Sequence, residues 1–365
     1  MHAYIFGAKA TAAGLYKALS VLNPEKQIEA FMVSKLEGNV SEIWGCPVRT
    51  ISEVTESLTA SELAEAEVYA AVPQLVHQEI RTLLERNGFK HPVMLDSEME
   101  ANMMGHYFDL EGRFRSVHSL RLHKADTAIP RTTVYAASFY KDKPLSNPPQ
   151  MPEYVKKIYL GCYGAVQAGI NILGQADFYD NDGINISATN PNRCEMTAHY
   201  WVWKNRLATD DEYVGVCHYR RTLDLSDEDL KKMKDNDVDI VLPYPMLHYP
   251  NAGIQHTWYV SEQDWNLMKK VVSEIYPAYG ERVDEVFAAP EFYNYNMMIA
   301  KKQVFADYCE WLYPILDRIE ETSEPKGVNR CDRYTAYMSE SLETLYFMVN
   351  RNKLKIYHTG RLLYT

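Results

Sequence analysis

Paired cysteines, a basic charge balance and long apolar runs are all missing from this sequence, and each absence closes a class of function. The six cysteines, at 46, 162, 194, 217, 309 and 331, are scattered with no C-x-x-C spacing. Neither a disulfide scaffold nor a zinc site is expected, and a reducing cytoplasm fits. The net charge of −11 over 365 residues argues against a nucleic-acid partner, which would demand a basic footprint. It leaves room for a few local cations around one diphosphate. No run approaches the ~18 apolar residues of a membrane span. The opening MHAYIFGAKA lacks the basic and apolar regions of a signal peptide. A peripheral contact with the inner face of a membrane stays open. There are no repeats and no low-complexity tracts. The dinucleotide fingerprint G-x-G-x-x-G is also absent: Gly7 and Gly14 flank the first turn with six residues between them.

What is present is aromatic and alternating. The 27 tyrosines join a stacking face to a hydroxyl, which suits carbohydrate and nucleotide sites, although most of so many are expected in the core with one wet edge. The N-terminal third alternates strand and helix. Strands are expected at 3–8, 28–34, 67–73 and 91–96, and helices at 11–22 and 74–89. This pattern implies a parallel, doubly wound sheet. Residues 97–130 show mixed polarity and no clean period, so they read as connecting structure, with a domain boundary at 128. A second α/β domain, 129–365, opens with the apolar run TTVYAASFYKD at 132–142.

The densest chemistry lies at 190–223. The polar turn NPNRC leads into a helix on which Met196, Tyr200 and Trp203 share a face. The buried-strand pattern YVGVC follows and runs directly into His218, Tyr219, Arg220 and Arg221. In α/β sheets ligands bind beyond the carboxyl ends of strands. Two guanidinium forks there can hold a diphosphate; the plainer alternative is a pair of surface salt bridges.

Taken together, DNDGINIS, CEMTAHYWVWKN, VGVCHYRR, YNYNMMIAKKQVFADYCEWLYPIL and RYTAYMSESLE resemble a bacterial family long catalogued as a domain of unknown function. That family is found in capsule and O-antigen gene clusters and is classed with glycosyltransferases. The resemblance covers about 132–365. The stretches YIFGAKATAAGLYKAL and AAVPQLVHQEIRTLLERNGF resemble the small Rossmann-like domain at the front of bacterial sugar O-acyltransferases. The resemblance implies a GT-A-like nucleotide-diphospho-sugar transferase fold behind a Rossmann-like parallel-sheet domain. It also implies transfer of a hexose, galactose or galactofuranose, from a UDP-sugar to an oligosaccharide or lipid-linked acceptor.

In that pattern the end of the YVGVC strand usually carries an Asp-x-Asp that binds a metal. Here His218, Tyr219, Arg220 and Arg221 stand in its place, so no metal cofactor is expected, with manganese or magnesium the alternative. Tyr140 and Lys141 end the first strand of the domain, where they contact base and phosphate or merely cap the strand. Asp180 and Asp182 spell D-x-D beside Asn185 and Ser187, and the choice lies between an Asx-turn, a sugar-nucleotide contact and a metal site. Glu195 and His199 share one helix face; metal ligation there would need further ligands, so a polar contact or a nucleotide edge is expected. The run 291–301 reads as one strand with a polar rim of Glu291, Asn294 and Asn296. Glu291 is the first candidate for general base and Glu340 the second. Two other classes remain open: a non-catalytic sugar-nucleotide or glycan-binding protein, and a nicotinamide-linked oxidoreductase, which the glycine spacing disfavours.

Overall fold

Residues 2–146 and 148–365 are described by a computed structural model, and they gather around two large sheets. The first lobe contains β1 (Ala3–Phe6), α1 (Ala10–Leu22), β2 (Ile28–Val33), β3 (Glu42–Ile43), β4 (Cys46–Thr50), α2 (Ile51–Glu56), α3 (Ala60–Glu65), β5 (Glu67–Ala70), α4 (His77–Arg86), β6 (Val93–Met94) and α5 (Ser97–Leu110). Its strand order is β3-β4-β2-β1-β5-β6, parallel except for the edge strand β3. Every residue of β1 is buried, as expected for a parallel strand covered on both faces. Ile5, Phe31 and Val33 pack with α1, while Tyr4, Phe6 and Met32 pack with Ile51, Val54 and Leu84 on the other side. The period-two alternation of a strand sorts these side chains between two helical layers.

Gly7 owes its identity to geometry. Its φ is +121°, and a Cβ there would meet the Ala71 carbonyl oxygen at 2.6 Å. Gly14 faces the Met104 sulfur of α5, where a Cβ would lie 3.4 Å away.

The stretch 97–130 is not the irregular connection expected from sequence. Its first half is the fourteen-residue helix α5. Asp96 caps it by accepting from the Met99 N–H at 2.8 Å. Met104, Tyr107 and Phe108 are buried with Ala18 and with Leu247 of the second lobe. The helix buries Gly105 as well and lacks a clean polar stripe, which hides its period.

The second lobe contains β7 (Thr132–Phe139), β8 (Val155–Leu160), α6 (Cys162–Gln167), β9 (Phe178–Tyr179), α7 (Asn190–Arg193), α8 (Met196–Asn205), β10 (Tyr213–His218), β11 (Arg221–Leu223), α9 (Asp227–Asp235), β12 (Ile240–Pro243), β13 (Met246–Leu247), α10 (Glu262–Ile275), α11 (Pro277–Gly280), α12 (Val283–Ala288), β14 (Glu291–Phe292), β15 (Met298–Lys301), α13 (Lys302–Thr322), α14 (Tyr334–Asn350), β16 (Ile356–Thr359) and β17 (Arg361–Leu363). The main path of its sheet is β16-β12-β15-β10-β7-β8-β9, with β15 antiparallel to both of its neighbours. β10 lies at the centre, and Gly215 lets it approach β15: a Cβ there would sit 2.3 Å from the Met298 carbonyl. In α13, Phe305, Tyr308, Cys309, Leu312, Leu316 and Ile319 form a fully buried stripe at helical spacing.

The two lobes are joined through α5. Arg361 of β17 pairs with Glu100 at 2.9 Å, and the Leu363 N–H donates to Ser97 Oγ at 2.8 Å. We place the proposed boundary at 128, between α5 and β7. Among the described residues no helix is long and apolar enough to cross a membrane.

The single strand expected over 291–301 is two strands. β14 pairs with β13 in a separate ribbon, and β15 joins the main sheet. Between them Tyr295 and Asn296 adopt φ of +78° and +49°, which breaks the ladder.

Candidate active site

The carboxyl ends of β7, β8 and β10 open into a cavity of about 810 Å³. Register brings them together: Phe139 pairs with Leu160, and Ala137 with His218. Tyr140, Lys141, Ser187, Glu195, His218, Tyr219, Arg220, Arg221, Asn294 and Glu340 all line it. So do Arg333, Tyr259 and Tyr337, which sequence reasoning did not single out.

One side of the cavity is cationic. The Arg220 guanidinium lies over the Tyr219 ring at 4.8 Å and donates to its hydroxyl, while its Nε is buried without a partner. The Arg221 guanidinium sits 4.6 Å from the centre of the Tyr295 ring. Burial and the neighbouring Arg361 and Arg220 charges lower the Arg221 pKa from its ordinary value. Ion pairs hold Arg193, Arg330 and Arg361 elsewhere in the fold. Among the described residues no carboxylate pairs with Lys141, Arg220, Arg221 or Arg333. Arg220 and Arg221 are partly buried and Lys141 and Arg333 exposed; partly buried cations without a paired carboxylate suit an anion. The His218 Nε2–H donates to the Tyr295 carbonyl at 2.7 Å, which leaves Nδ1 as the free ring nitrogen.

The same cavity carries carboxyl groups. Glu340 Oε1 accepts from the Tyr295 N–H at 2.9 Å and Oε2 from Gln255 Nε2 at 3.3 Å. Burial, then the nearby charge of Glu195, pushes the Glu340 pKa up to about 8. Glu195 accepts from Asn296 Nδ2 at 2.6 Å. The wall is strained: Cys194, Tyr295 and Arg333 line the cavity with φ of +43°, +78° and +64°. Non-glycine residues held in this region cost of order 1–3 kcal/mol each and gather at functional sites.

Several expected residues fall elsewhere. Glu291 does not line the cavity: its buried carboxylate is paired with Arg113 at 2.5 Å on the β13–β14 ribbon. Its pairing with Leu247 in that ribbon, which ends at Phe292, keeps it from the site that Asn294 reaches. His199 is wholly buried, stacked on Phe305 and donating from Nε2 to the Asn296 carbonyl at 2.9 Å. Burial lowers its pKa to about 4, so it packs as a neutral ring. Asn296 stands behind Glu195 rather than in the cavity. Asn185 closes a turn on the Asn181 and Gly183 carbonyls, each at 3.0 Å. Asp182 lends its backbone carbonyl to Trp201 Nε1 at 2.9 Å and does not line the cavity.

Asp180 is fully buried and has four donors. It accepts from the Gly161 and Cys162 N–H groups at 2.9 and 3.0 Å, and from Ser187 Oγ and Thr197 Oγ1 at 2.6 and 2.7 Å. It thereby ties α6 to α8 and holds Ser187 at the cavity edge. Hydrogen bonds to a charged group are worth ~1.5–3 kcal/mol, and unmet buried donors add to the loss. Asp180→Ala is therefore expected to cost about 3 kcal/mol or more of stability, read by urea denaturation; a change under about 1 kcal/mol would contradict this role. Among the described residues no three His, Cys, Asp or Glu side chains gather in a way that could hold a metal ion.

The solved structure of WbbM, a bifunctional glycosyltransferase in its apo form, is similar to this chain with a TM-score of 0.53 and 25% identity. The similarity covers 64% of this chain and 45% of that one, and with the parallel sheets described above it supports a Rossmann-like and GT-A-like arrangement. No curated protein matches the sequence. Residues 150–352, more than half of the chain and including most of the cavity wall, match the family described as a domain of unknown function, DUF4422, and the chain belongs to that family.

Proposed function

We propose that this protein is a glycosyltransferase that moves a hexose from a UDP-sugar to a surface-polysaccharide acceptor, as in capsule or O-antigen synthesis. The observation that carries the reading is the cavity itself. It gathers unpaired Arg220, Arg221 and Arg333 with the carboxyl groups of Glu195 and Glu340, at the strand ends where α/β folds hold ligands. The likeness to WbbM supports the transferase class; galactose or galactofuranose as the donor sugar is our own choice.

In this reading Tyr140 and Lys141 meet base and phosphate, and the arginines receive the diphosphate. Glu340 takes the acceptor hydroxyl proton as that oxygen attacks the anomeric carbon. The bond from sugar to diphosphate then breaks, and UDP leaves with the electron pair. Glu340 replaces Glu291 as base because it alone of the two lines the cavity. No step passes through a metal, because the end of β10 is basic and Asp180 is already satisfied by four donors. A non-catalytic sugar-nucleotide-binding protein would share the cationic side, and turnover separates the two readings.

The first test is a melting-temperature screen against UDP, GDP and dTDP sugars. Ligand at about 100 times its Kd stabilises the fold by ~2.7 kcal/mol. We expect UDP-sugars to raise the melting temperature by several degrees and Arg221→Ala to abolish the rise. No shift with any nucleotide sugar would sink the proposal.

A further inference from the structure

The cavity wall next to Glu340 is aromatic in a way that the donor reading does not use. Tyr259 and Tyr337 stack with centroids 4.5 Å apart and planes 14° from parallel. Tyr259 is still 49% exposed, although one face rests on Tyr337. Its neighbour Trp258 is 40% exposed and stands edge-on to it at 6.4 Å. Large half-exposed rings fixed in place by other rings are costly to leave wet.

The charges nearby say which ligand fits. Burial raises the pKa of both tyrosine hydroxyls; Glu340 adds to this at both, while at Tyr337 the Arg333 charge opposes it. The platform therefore stands within electrostatic reach of the group proposed as base. An anionic phosphate would gain nothing from Glu340, which keeps its proton below about 8, and would be opposed by Glu195, with Arg333 alone in its favour. A neutral pyranose ring would not be opposed: it offers an apolar C–H face to a tyrosine ring and a hydroxyl to a carboxylate. The strip also leaves the cavity in a definite direction. Lys9 Nζ, at the start of α1 in the first lobe, lies 5.2 Å from the centre of the Trp258 ring.

We propose that Tyr259, backed by Tyr337, is the subsite for the acceptor sugar that receives the transferred hexose, and that Trp258 holds the next sugar of the acceptor chain where the two lobes meet. This rests on the glycosyltransferase reading and adds the acceptor class: a neutral saccharide of at least two units. The first lobe then has a part in the reaction, as the far wall of the acceptor path.

Saturation-transfer NMR on the full-length protein with saturating UDP tests it, using methyl galactoside, methyl glucoside, methyl mannoside and lactose as probes. We expect at least one probe to receive saturation. Tyr259→Ala is expected to weaken that probe about tenfold while Tyr259→Phe keeps it, since the stacking face and not the hydroxyl binds. Trp258→Ala is expected to weaken lactose more than the methyl glycosides. UDP affinity, measured by calorimetry, should stay within about twofold in all three variants. If UDP binds but no probe is saturated, the acceptor subsite is overturned while the donor reading stands. If Tyr259→Ala weakens UDP as much as the glycoside, the platform belongs to the donor and the proposal fails. If UDP itself does not bind, the glycosyltransferase reading falls first.

Discussion

Arg220→Ala and Arg221→Ala are each expected to lower transfer by roughly 10²–10³, the loss typical of removing one preorganised electrostatic donor. EDTA is expected to leave the wild-type rate unchanged. A leaving diphosphate gains negative charge as the sugar departs, and a charge already in position lowers that barrier without reorganisation. Both guanidinium groups are held before any ligand arrives, by the Tyr219 ring at 4.8 Å and the Tyr295 ring at 4.6 Å. Neither is neutralised by a carboxylate among the described residues. A divalent cation placed beside them would be repelled, so the basic cluster and a metal are alternatives at this point of the fold. If EDTA stops transfer, manganese restores it and both variants run near wild type, the diphosphate is not held by these arginines.

Glu340→Gln is expected to reduce kcat by at least about 10², within the ~10²–10⁴ ascribed to a positioned base, with little change in donor binding. The pH dependence should identify the same group. A base must be deprotonated, so wild-type kcat should climb as pH rises and level off above about 8, where burial and Glu195 have pushed Glu340. In the glutamine variant that climb should be gone. Stability runs the opposite way. The folded chain keeps the Glu340 proton up to about 8, whereas the unfolded chain releases it near the ordinary 4.5. Its contribution to folding is complete below 4.5 and lost as pH rises through 8, and Glu340→Gln should flatten that slope. A wild-type profile flat between pH 6 and 9, or a variant with the same climb, would remove Glu340 from the role.

The end of β10 was legible because five buried apolar residues stop at His218 and a basic cluster begins. The α/β alternation was legible for the same reason: strand and helix periods differ, and glycines punctuate them. The polar wall was not. Glu291 and Asn294 stand three residues apart on what reads as one strand, yet only Asn294 reaches the cavity. The ladder ends between them, at Phe292, and the chain then turns through Tyr295 and Asn296 at positive φ, with no glycine to announce it. Arg333 was missed similarly: it enters α14 in a left-handed conformation that its side chain does not advertise. Asp180 was misleading in the other direction, since its D-x-D spelling carries no sign of the four donors that occupy it. Gln255 and Tyr259 come from a short 3₁₀ stretch far along the chain, and only tertiary packing brings them beside Glu340.

Arg361 couples what the sequence divides. Its guanidinium pairs with Glu100 of the first lobe and stands 4.8 Å from the Tyr295 ring that also receives Arg221. Without α5, Arg361 would be a buried cation lacking its counter-ion, beside the ring that holds Arg221, and such an orphan typically destabilises by ~3–5 kcal/mol. This side chain therefore adds a thermodynamic link between the two lobes to the Leu363–Ser97 hydrogen bond and the apolar packing around Leu247. The lobes should melt in one cooperative transition, and an anion bound at Arg221 should slow amide exchange in α5 as well as in the sheet beneath it.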